Sequence, residues 1–592
     1  MALTDYQNYQ ITSVLIWMLS LTYRPARDLA TKGLVKFFRH HILYIKEVLN
    51  VFDKVNDPYI RQRIYASILG AVLLSRDSDE KEQIAIDVYL RIFDNGKEVP
   101  ADILLRDYAR NIIEYISQTH KLENVKLDII TPPYKSYFSL EACPLSKDIL
   151  AKYQPLKKDG RYSDIERAKY FILWSMRTER SSMGMYGDFG RYTFGSAVRY
   201  WDINDELASN YAISLIFEKY CYDARKFAQF DVRIGTGRGR EHNIERIGKK
   251  YQWIAFYETL ALIADNIAPI QDSYWGHFTY YGTWNPYIRD IDPTSDFLNK
   301  DSDYEKQKNS PRLNWIPKDH ISFKIEERDN WLTSNEGMEF ENFFKRIQIS
   351  DNNGEIWIAL YTSKTHYETY ETLEKSIESR CEFWIYAQAY NVSNEYANKV
   401  KDYITKHGGY GRNLPESRNP QYELFYKDYY KTIAYKEFTA NKMQDYNDIF
   451  GRFFSEELVF DINNPAIEFA YMQVSPNENR SCYRLSNTIF TNLNLHDGTQ
   501  EGEYVDSDGN LIAMDISVNY NHSSLLLIKK SSLKDYLLAN NRQIIWPILA
   551  EKSIAHTIGD QFGGFISWDG KTWNGLLQHY DSHGRIIFTK KY

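Results

Sequence analysis

The sequence predicts a mainly α protein, made of HEAT- or TPR-like helical repeats and followed by an α+β C-terminal region. Three observations predict it. First, Arg-x-x-Ala recurs at Arg27–Ala30, Arg63–Ala66 and Arg106–Ala109, at a spacing close to the roughly 40 residues of HEAT-like helix pairs. Second, residues 244–263 change from one apolar stripe (Ile244, Ile247, Tyr251, Ile254) to apolar nearly all round, with Trp253, Phe256, Leu260 and Ile263 filling the sides. That is the pattern of a helix anchored deep in a core. Third, the last third of the chain carries two Asp-Gly pairs, Asp508-Gly509 and Asp569-Gly570, each between short apolar runs. These are hairpin signals.

Residues 1–120 read as the helical repeats. Val14 to Leu21 is too short to cross a bilayer and lacks a basic start, so a buried first helix is expected. Asp57-Pro58 starts a helix, with Pro at the first helical position. Leu34, Gly70 and Ile113 follow each Arg-x-x-Ala by four residues, as one packed face requires. Asp28 and Asp107 are expected in the first turn of their helices, and the repeated Arg and Asp are expected to stitch adjacent repeats as ion pairs.

Residues 121–300 read as a second helical domain. Thr131-Pro132-Pro133-Tyr134 marks an extended connection. Helices are expected over Asp164–Thr178 and Asp205–Tyr220. Between them Gly184, Gly187, Gly190 and Gly195 alternate with aromatics. Gly235, Gly237 and Gly239 then lie among Arg233, Arg238 and Arg240, just ahead of the core helix. Glycine lets a backbone take φ > 0 and approach a partner closely.

Residues 301–592 read as the α+β region. Glu355–Tyr361 is a strand and Lys375–Tyr390 a helix, its Trp384 and Tyr386 in the core. Arg542–Ile548 is an apolar strand, with Pro547 marking an edge or a strand end.

Composition narrows the function. The chain has 592 residues, 43% hydrophobic and 15% aromatic, which suits large cores rather than disorder. A net charge of -7 argues against a generic nucleic-acid coat. Cys143, Cys221, Cys381 and Cys482 form no CxxC, which points away from disulfide scaffolds and zinc ribbons and toward a reducing cytoplasm.

Catalytic motifs are few. Gly570-Lys571-Thr572 has the tail of a P-loop, but Phe565 stands where its first Gly belongs. The alternating glycines lack dinucleotide-fingerprint spacing, though an anion at the helix N-terminus remains sensible physics. There is no HExxH and no GxSxG. His579 and His583 flank Asp581 and read as solvated histidines. Asp506-Ser507-Asp508-Gly509 resembles part of a calcium loop without its closing Glu, so a turn suffices. No catalytic residue, metal ligand or cofactor is assigned. The interleaved basic and aromatic residues, such as Arg191-Tyr192 and Lys249-Lys250-Tyr251-Gln252-Trp253, read first as internal structure, second as protein recognition and third as single-strand nucleic-acid binding.

Several ordered blocks carry a resemblance. They are Arg27-Asp28-Leu29-Ala30-Thr31-Lys32, Asp57-Pro58-Tyr59 with Arg63-Ile64-Tyr65-Ala66, and Arg106-Asp107-Tyr108-Ala109. Further on come Asp188-Phe189-Gly190-Arg191-Tyr192, Arg199-Tyr200-Trp201, Glu245 through Trp253, Arg289-Asp290-Ile291-Asp292-Pro293-Thr294, and Ile545-Trp546 ahead of Glu551-Lys552. In this order the chain resembles the C-terminal sensor part of AVAST-type STAND NTPases of bacterial antiviral defence. The resemblance implies a non-catalytic helical-repeat sensor for a conserved viral protein, such as a large terminase subunit or portal. In that family, binding relieves autoinhibition of an ATPase and effector portion. This chain carries no Walker A motif, which departs from the whole-protein pattern. The expected partner-binding residues are Arg233, Arg238, Arg240, Tyr186 and Arg191. The other readings are a nucleic-acid-binding accessory protein and an enzyme with a site built from scattered residues.

Overall fold

A computed structural model describes residues 5–75, 80–94, 98–198, 201–235, 244–268, 291–294, 332–333, 340–369, 380–407, 416–417, 443–444, 462–463, 465–471, 480–500, 502–518, 524–554, 557–581 and 583–592. The chain is mainly α in its first part and α+β, rich in antiparallel sheet, in its second. It divides into two compact units, one made mainly of residues 1–296 and the other mainly of residues 297–592.

The helical unit contains α1 (Asp5–Met18), α2 (Arg24–His40), α3 (Tyr44–Phe52), α4 (Pro58–Leu74), α5 (Glu80–Ile92) and α6 (Ile103–Ser117). It continues with α7 (Ser146–Tyr153), a two-residue hairpin β1 (Lys157–Lys158) and β2 (Arg161–Tyr162), and α8 (Asp164–Ser175). A π-helical turn over Phe189–Gly195 leads into α9 (Ser196–Val198), followed by α10 (Asp205–Ser214), α11 (Ala224–Ile234) and α12 (Ile247–Asn266). One hydrophobic cluster runs from Ile16 to Ile263. The boundary expected at residues 120/121 therefore does not separate two cores.

Helix starts follow local chemistry. The Asp57 carboxylate accepts from the Tyr59 N–H ahead of Pro58, and Asp102 accepts from the Leu104 and Leu105 N–H groups at the start of α6. Asp28 and Asp107 do not lie in first turns. Each is the fifth residue of its helix, because α2 starts at Arg24 and α6 at Ile103. The first helix is only half buried: Ile16, with Leu19 just past its end, enters the core, while Val14 and Trp17 are 61% and 58% exposed. Leu34, Gly70 and Ile113 are all buried as the packed face required. At Gly70 a Cβ would stand 2.5 Å from the Pro293 carbonyl oxygen, so glycine is what lets residues 291–294 lie on α4.

The three arginines of the echo hold the helices together, though not simply repeat to repeat. Arg63 of α4 donates to Asp28 and Thr31 of α2 at 2.8 and 3.0 Å. Arg27 reaches Glu245, just ahead of α12, at 3.5 Å. Arg106 of α6 reaches Asp265 near the far end of α12. The α12 helix is thus tied to α2 at one end and α6 at the other, and Lys250 adds a 2.6 Å pair to Asp57 at the start of α4.

In the second unit the strands are β3 (Gln348–Ser350), β4 (Ile356–Thr369), β5 (Arg380–Gln388), β6 (Tyr390–Ser393), β7 (Glu416–Ser417), β8 (Met443–Gln444) and β9 (Ile462–Asn463). They continue with β10 (Ala466–Tyr471), β11 (Arg480–Leu485), β12 (His496–Asp497), β13 (Glu503–Val505), β14 (Leu511–Asp515) and β15 (Ser524–Lys529), then β16 (Arg542–Ile554), β17 (Thr557–Trp568), β18 (Trp573–Tyr580) and β19 (Ile586–Lys591). The main sheet runs β12-β13-β14-β15-β4-β5-β16-β17-β18-β19. Its described pairings are antiparallel.

Both Asp-Gly pairs turn hairpins, with Gly509 at φ +83° and Gly570 at φ +89°. Two strand readings need correction. The segment read as a helix over Lys375–Tyr390 is extended at Arg380–Gln388. Phe383, Ile385 and Ala387 are buried in period two, while Trp384 and Tyr386 pack partly buried on the opposite face. Pro547 lies neither on an edge nor at a strand end: β16 is central, between β5 and β17. Pro547 falls between Ile545, the last residue paired with β6, and Ile548, the first paired with β5. Its missing N–H coincides with the change of partner strand.

Candidate functional site

The glycine-rich segment between α8 and α10 is a rigid platform. Gly187 donates to the Arg177 carbonyl at 3.0 Å. A Cβ at Gly187 would overlap the Trp174 carbonyl, and one at Gly190 the Arg177 carbonyl. These glycines serve close backbone packing against the end of α8 rather than flexibility. Glu206 fixes the base of the loop, accepting from the Ser182 N–H and hydroxyl, each at 2.6 Å, and from Ser146 at 2.7 Å. Burial would raise the Glu206 pKa, but the Ser146 and Ser182 hydrogen bonds win and hold it below the usual range.

On that platform Arg191 packs against two aromatic rings, Tyr186 and Tyr192, which meet edge-on at 6.4 Å. Its guanidinium lies 4.3 Å from the Tyr186 ring centroid and 5.0 Å from that of Tyr192. Its Nε meets Glu179 at 2.6 Å. Tyr192 is 55% exposed, and Met185, next to Tyr186 in the chain, is 77% exposed. Two expected site residues, Tyr186 and Arg191, are thus brought into direct contact. Tyr192 and Glu179 complete the cluster. Tyr192 was signalled by the Arg-Tyr dipeptide, whereas nothing in the sequence pattern singled out Glu179.

The second expected group is less assembled. Arg233 is exposed near the end of α11, 5.9 Å from the Phe230 ring. Among the described residues no ring or ion-pair contact joins it to Arg191 or Tyr186. Arg238 and Arg240 lie outside the described residues, as does Arg199-Tyr200. The anion site imagined at the start of α12 is already filled. The Asp231 carboxylate, fully buried, accepts from the Ile247 and Gly248 N–H groups at 2.6 and 2.8 Å and from the Tyr222 hydroxyl at 2.8 Å. A carboxylate from α11 thus occupies the place where a phosphate would sit.

No protein-family model matches the chain, and no curated protein matches it.

Most of the remaining basic residues near α12 are spent internally. Arg246 is buried beside the Phe171 ring at 5.2 Å. Lys249 pairs with Glu245 at 3.3 Å and Lys250 with Asp57. Burial alone would raise the Glu245 pKa, but Lys249, Arg27 and Arg24 outweigh it and hold the carboxyl at about 2. Among the described residues no group of three or more His, Cys, Asp or Glu side chains could hold a metal ion. The Asp506 turn uses its own carboxylate, which accepts from the Asp508 and Asn510 N–H groups at 3.0 and 2.8 Å.

His579 corrects the solvated reading of the C-terminal histidines. It is buried in the sheet, its Nε2 meets Asp560 of β17 at 2.6 Å, and its ring stacks on Phe562. His583 is exposed. No helix among the described residues is long and apolar enough to cross a membrane.

Proposed function

We propose that this chain is the non-catalytic recognition module of a bacterial antiphage defence system, acting in the cytoplasm. It would bind a conserved viral protein of the large terminase or portal type and trigger a STAND ATPase and effector portion of the same system. One observation carries the reading: Arg191 packs against both Tyr186 and Tyr192, whose rings meet edge-on, with Met185 exposed next to Tyr186 in the chain, on a loop fixed by close-packed glycines. Tyr, Met and Arg are enriched where proteins meet, and Tyr and Arg dominate hot spots. A fixed loop also lowers the ordering cost of association. Arg233, Arg238 and Arg240 are assigned to the same partner from the sequence. The resemblance to AVAST-type sensors supplies the class of partner.

The test is binding of the purified chain to purified large terminase subunit and to portal. The wild-type chain should bind one of them. Arg191→Glu, and separately the Arg238→Glu/Arg240→Glu double variant, should lose that complex at an unchanged melting temperature. Failure of the wild type to bind either protein, or full binding by the folded variants, overturns the reading.

A further inference from the structure

The main sheet ends on β19, which pairs with β18 alone among the described strands. Which of its backbone groups point outward follows from the ladder. Gly575 and Tyr592 exchange both hydrogen bonds, at 3.1 and 2.8 Å. Hydrogen-bonded pairs alternate along an antiparallel ladder. Leu577–Lys590 and His579–Phe588 therefore face β18 with their N–H and C=O groups, while Thr589 and Lys591 turn theirs to the outer edge. The register then jumps from His579–Phe588 to Tyr580–Ile586, leaving Ile587 without a partner on β18.

The side chains of this edge are exposed and basic, with the Lys590 ammonium 4.7 Å from the Tyr592 ring centroid. Ile586 and Ile587 are 54% and 55% exposed. Lys590 and Lys591 are exposed, and among the described residues no carboxylate pairs with either. Lysines on an edge strand oppose pairing with a like strand. Two copies joined edge to edge would gather four of them in one short ladder. The same lysines favour a strand that places acidic side chains opposite, because opposite charges across a strand pair stabilise it.

We infer that β19 is a strand-addition site for an extended segment of a partner protein, one that carries two consecutive acidic residues flanked by apolar ones. The partner's main chain pairs with the outward groups of Thr589 and Lys591. Its acidic side chains meet Lys590 and Lys591, and its apolar ones cover Ile586 and Ile587. This surface is independent of the Arg191 cluster.

The experiment uses the full chain and a fluorescent synthetic peptide with a central Glu-Glu pair flanked by Val, read by anisotropy. Two control peptides carry a central proline or Lys in place of Glu. The acidic peptide should bind, and both controls should bind at least about tenfold more weakly. Thr589→Pro removes an outward N–H that β18 does not use, a change an edge strand tolerates. It should weaken the acidic peptide at least about tenfold. The Lys590→Glu/Lys591→Glu variant should reverse the preference toward the Lys peptide, which keeps the inference testable if the proline variant fails to fold. No binding of the acidic peptide, equal binding of the proline-interrupted one, or an unchanged preference in the charge-reversed variant overturns it. A concentration-dependent dimer in sedimentation that Thr589→Pro abolishes also overturns it, since the edge would then serve a second copy.

Discussion

Arg106 and Asp265, 159 residues apart in the chain, form a buried ion pair in which one guanidinium nitrogen reaches both carboxylate oxygens, at 2.9 and 2.8 Å. Both side chains are about 1% exposed. Asp265 also accepts from the Tyr134 N–H at 3.0 Å and the Ser136 hydroxyl at 2.7 Å, and the Arg106 guanidinium lies 4.9 Å from the Tyr134 ring. One carboxylate near the end of α12 thus gathers α6 and the connection after it. Burial pushes the Asp265 pKa up, and Arg106 opposes that shift.

Breaking this pair from one side should cost more than removing it whole. Arg106→Met leaves a buried carboxylate with two neutral donors, and Asp265→Leu leaves a buried guanidinium. Each single change should destabilise the helical unit by about 3–5 kcal/mol. The double variant should lose clearly less than the sum. Urea unfolding of the four proteins measures the coupling, and strict additivity would contradict the pairing.

Acid should loosen the other end of α12. Glu245 has a folded pKa of about 2, set by Lys249, Arg27 and Arg24 against the opposing effect of burial. Asp28 is likewise held low, with Arg63, Arg24 and Arg27 outweighing burial. A depressed carboxyl pKa contributes stability that is fully present above the unfolded value and is lost as pH falls toward the folded one. The stabilisation should therefore fade between about pH 5 and pH 2. Glu245→Gln should cost on the order of 3 kcal/mol at pH 7 and flatten the fall of the melting temperature over that window. Asp265, its pKa raised, contributes with the opposite sign, so Asp265→Asn should not flatten the acid limb.

These two ends of α12 also show what the sequence made legible. The helix itself, the Arg-x-x-Ala echo and both Asp-Gly hairpins can be read from spacing, because each is a local pattern. The partners of Arg27 and Arg106 could not be, since Glu245 and Asp265 are more than a hundred residues away and look like any other acids. The basic run near α12 looked like a patch although Glu245 lies within it, because the partner of Lys250, Asp57, is distant and the burial of Arg246 is not local information. The β5 strand was misread because its less buried face carries Trp384 and Tyr386 at its middle, which blurs the polar alternation that marks a half-buried strand. At the Arg191 loop the aromatic and arginine content was visible. That Gly187 and Gly190 serve close packing rather than flexibility was not, because it depends on the carbonyls of Trp174 and Arg177.

Asp231→Ala should unfasten α11 from α12. It removes the acceptor for the Ile247 and Gly248 N–H groups and for the Tyr222 hydroxyl, and leaves Arg246 without the carboxylate that offsets its burial. A lost helix cap costs about 1 kcal/mol, and a buried charge left unpaired adds more. A drop of at least about 2 kcal/mol in unfolding free energy is expected. If the start of α12 instead bound phosphate in the native protein, millimolar phosphate would raise the melting temperature of the wild type. No such rise is expected, because Asp231 already holds that position.

Gly190→Ala should separate the rigidity of the Arg191 loop from its chemistry. The added methyl has no room against the Arg177 carbonyl, which is main chain and cannot swing aside as a side chain would. The loop must shift, at a cost of about 1–3 kcal/mol, and the π-helical turn from Phe189 must move with it. Phe189 packs edge-on against Trp253 and Phe256 of α12, so the shift is resisted from below and should appear at the exposed side instead. The Arg191–Tyr186 contact should loosen, and partner affinity should fall although no contact residue has changed. Tyr192→Ala makes the complementary case, deleting an exposed ring while leaving the backbone alone. It should lower affinity with little change in melting temperature. If Gly190→Ala bound the partner as tightly as wild type, fixing the loop would not matter to recognition. If Tyr192→Ala did so, the exposed aromatic face would not be the contact.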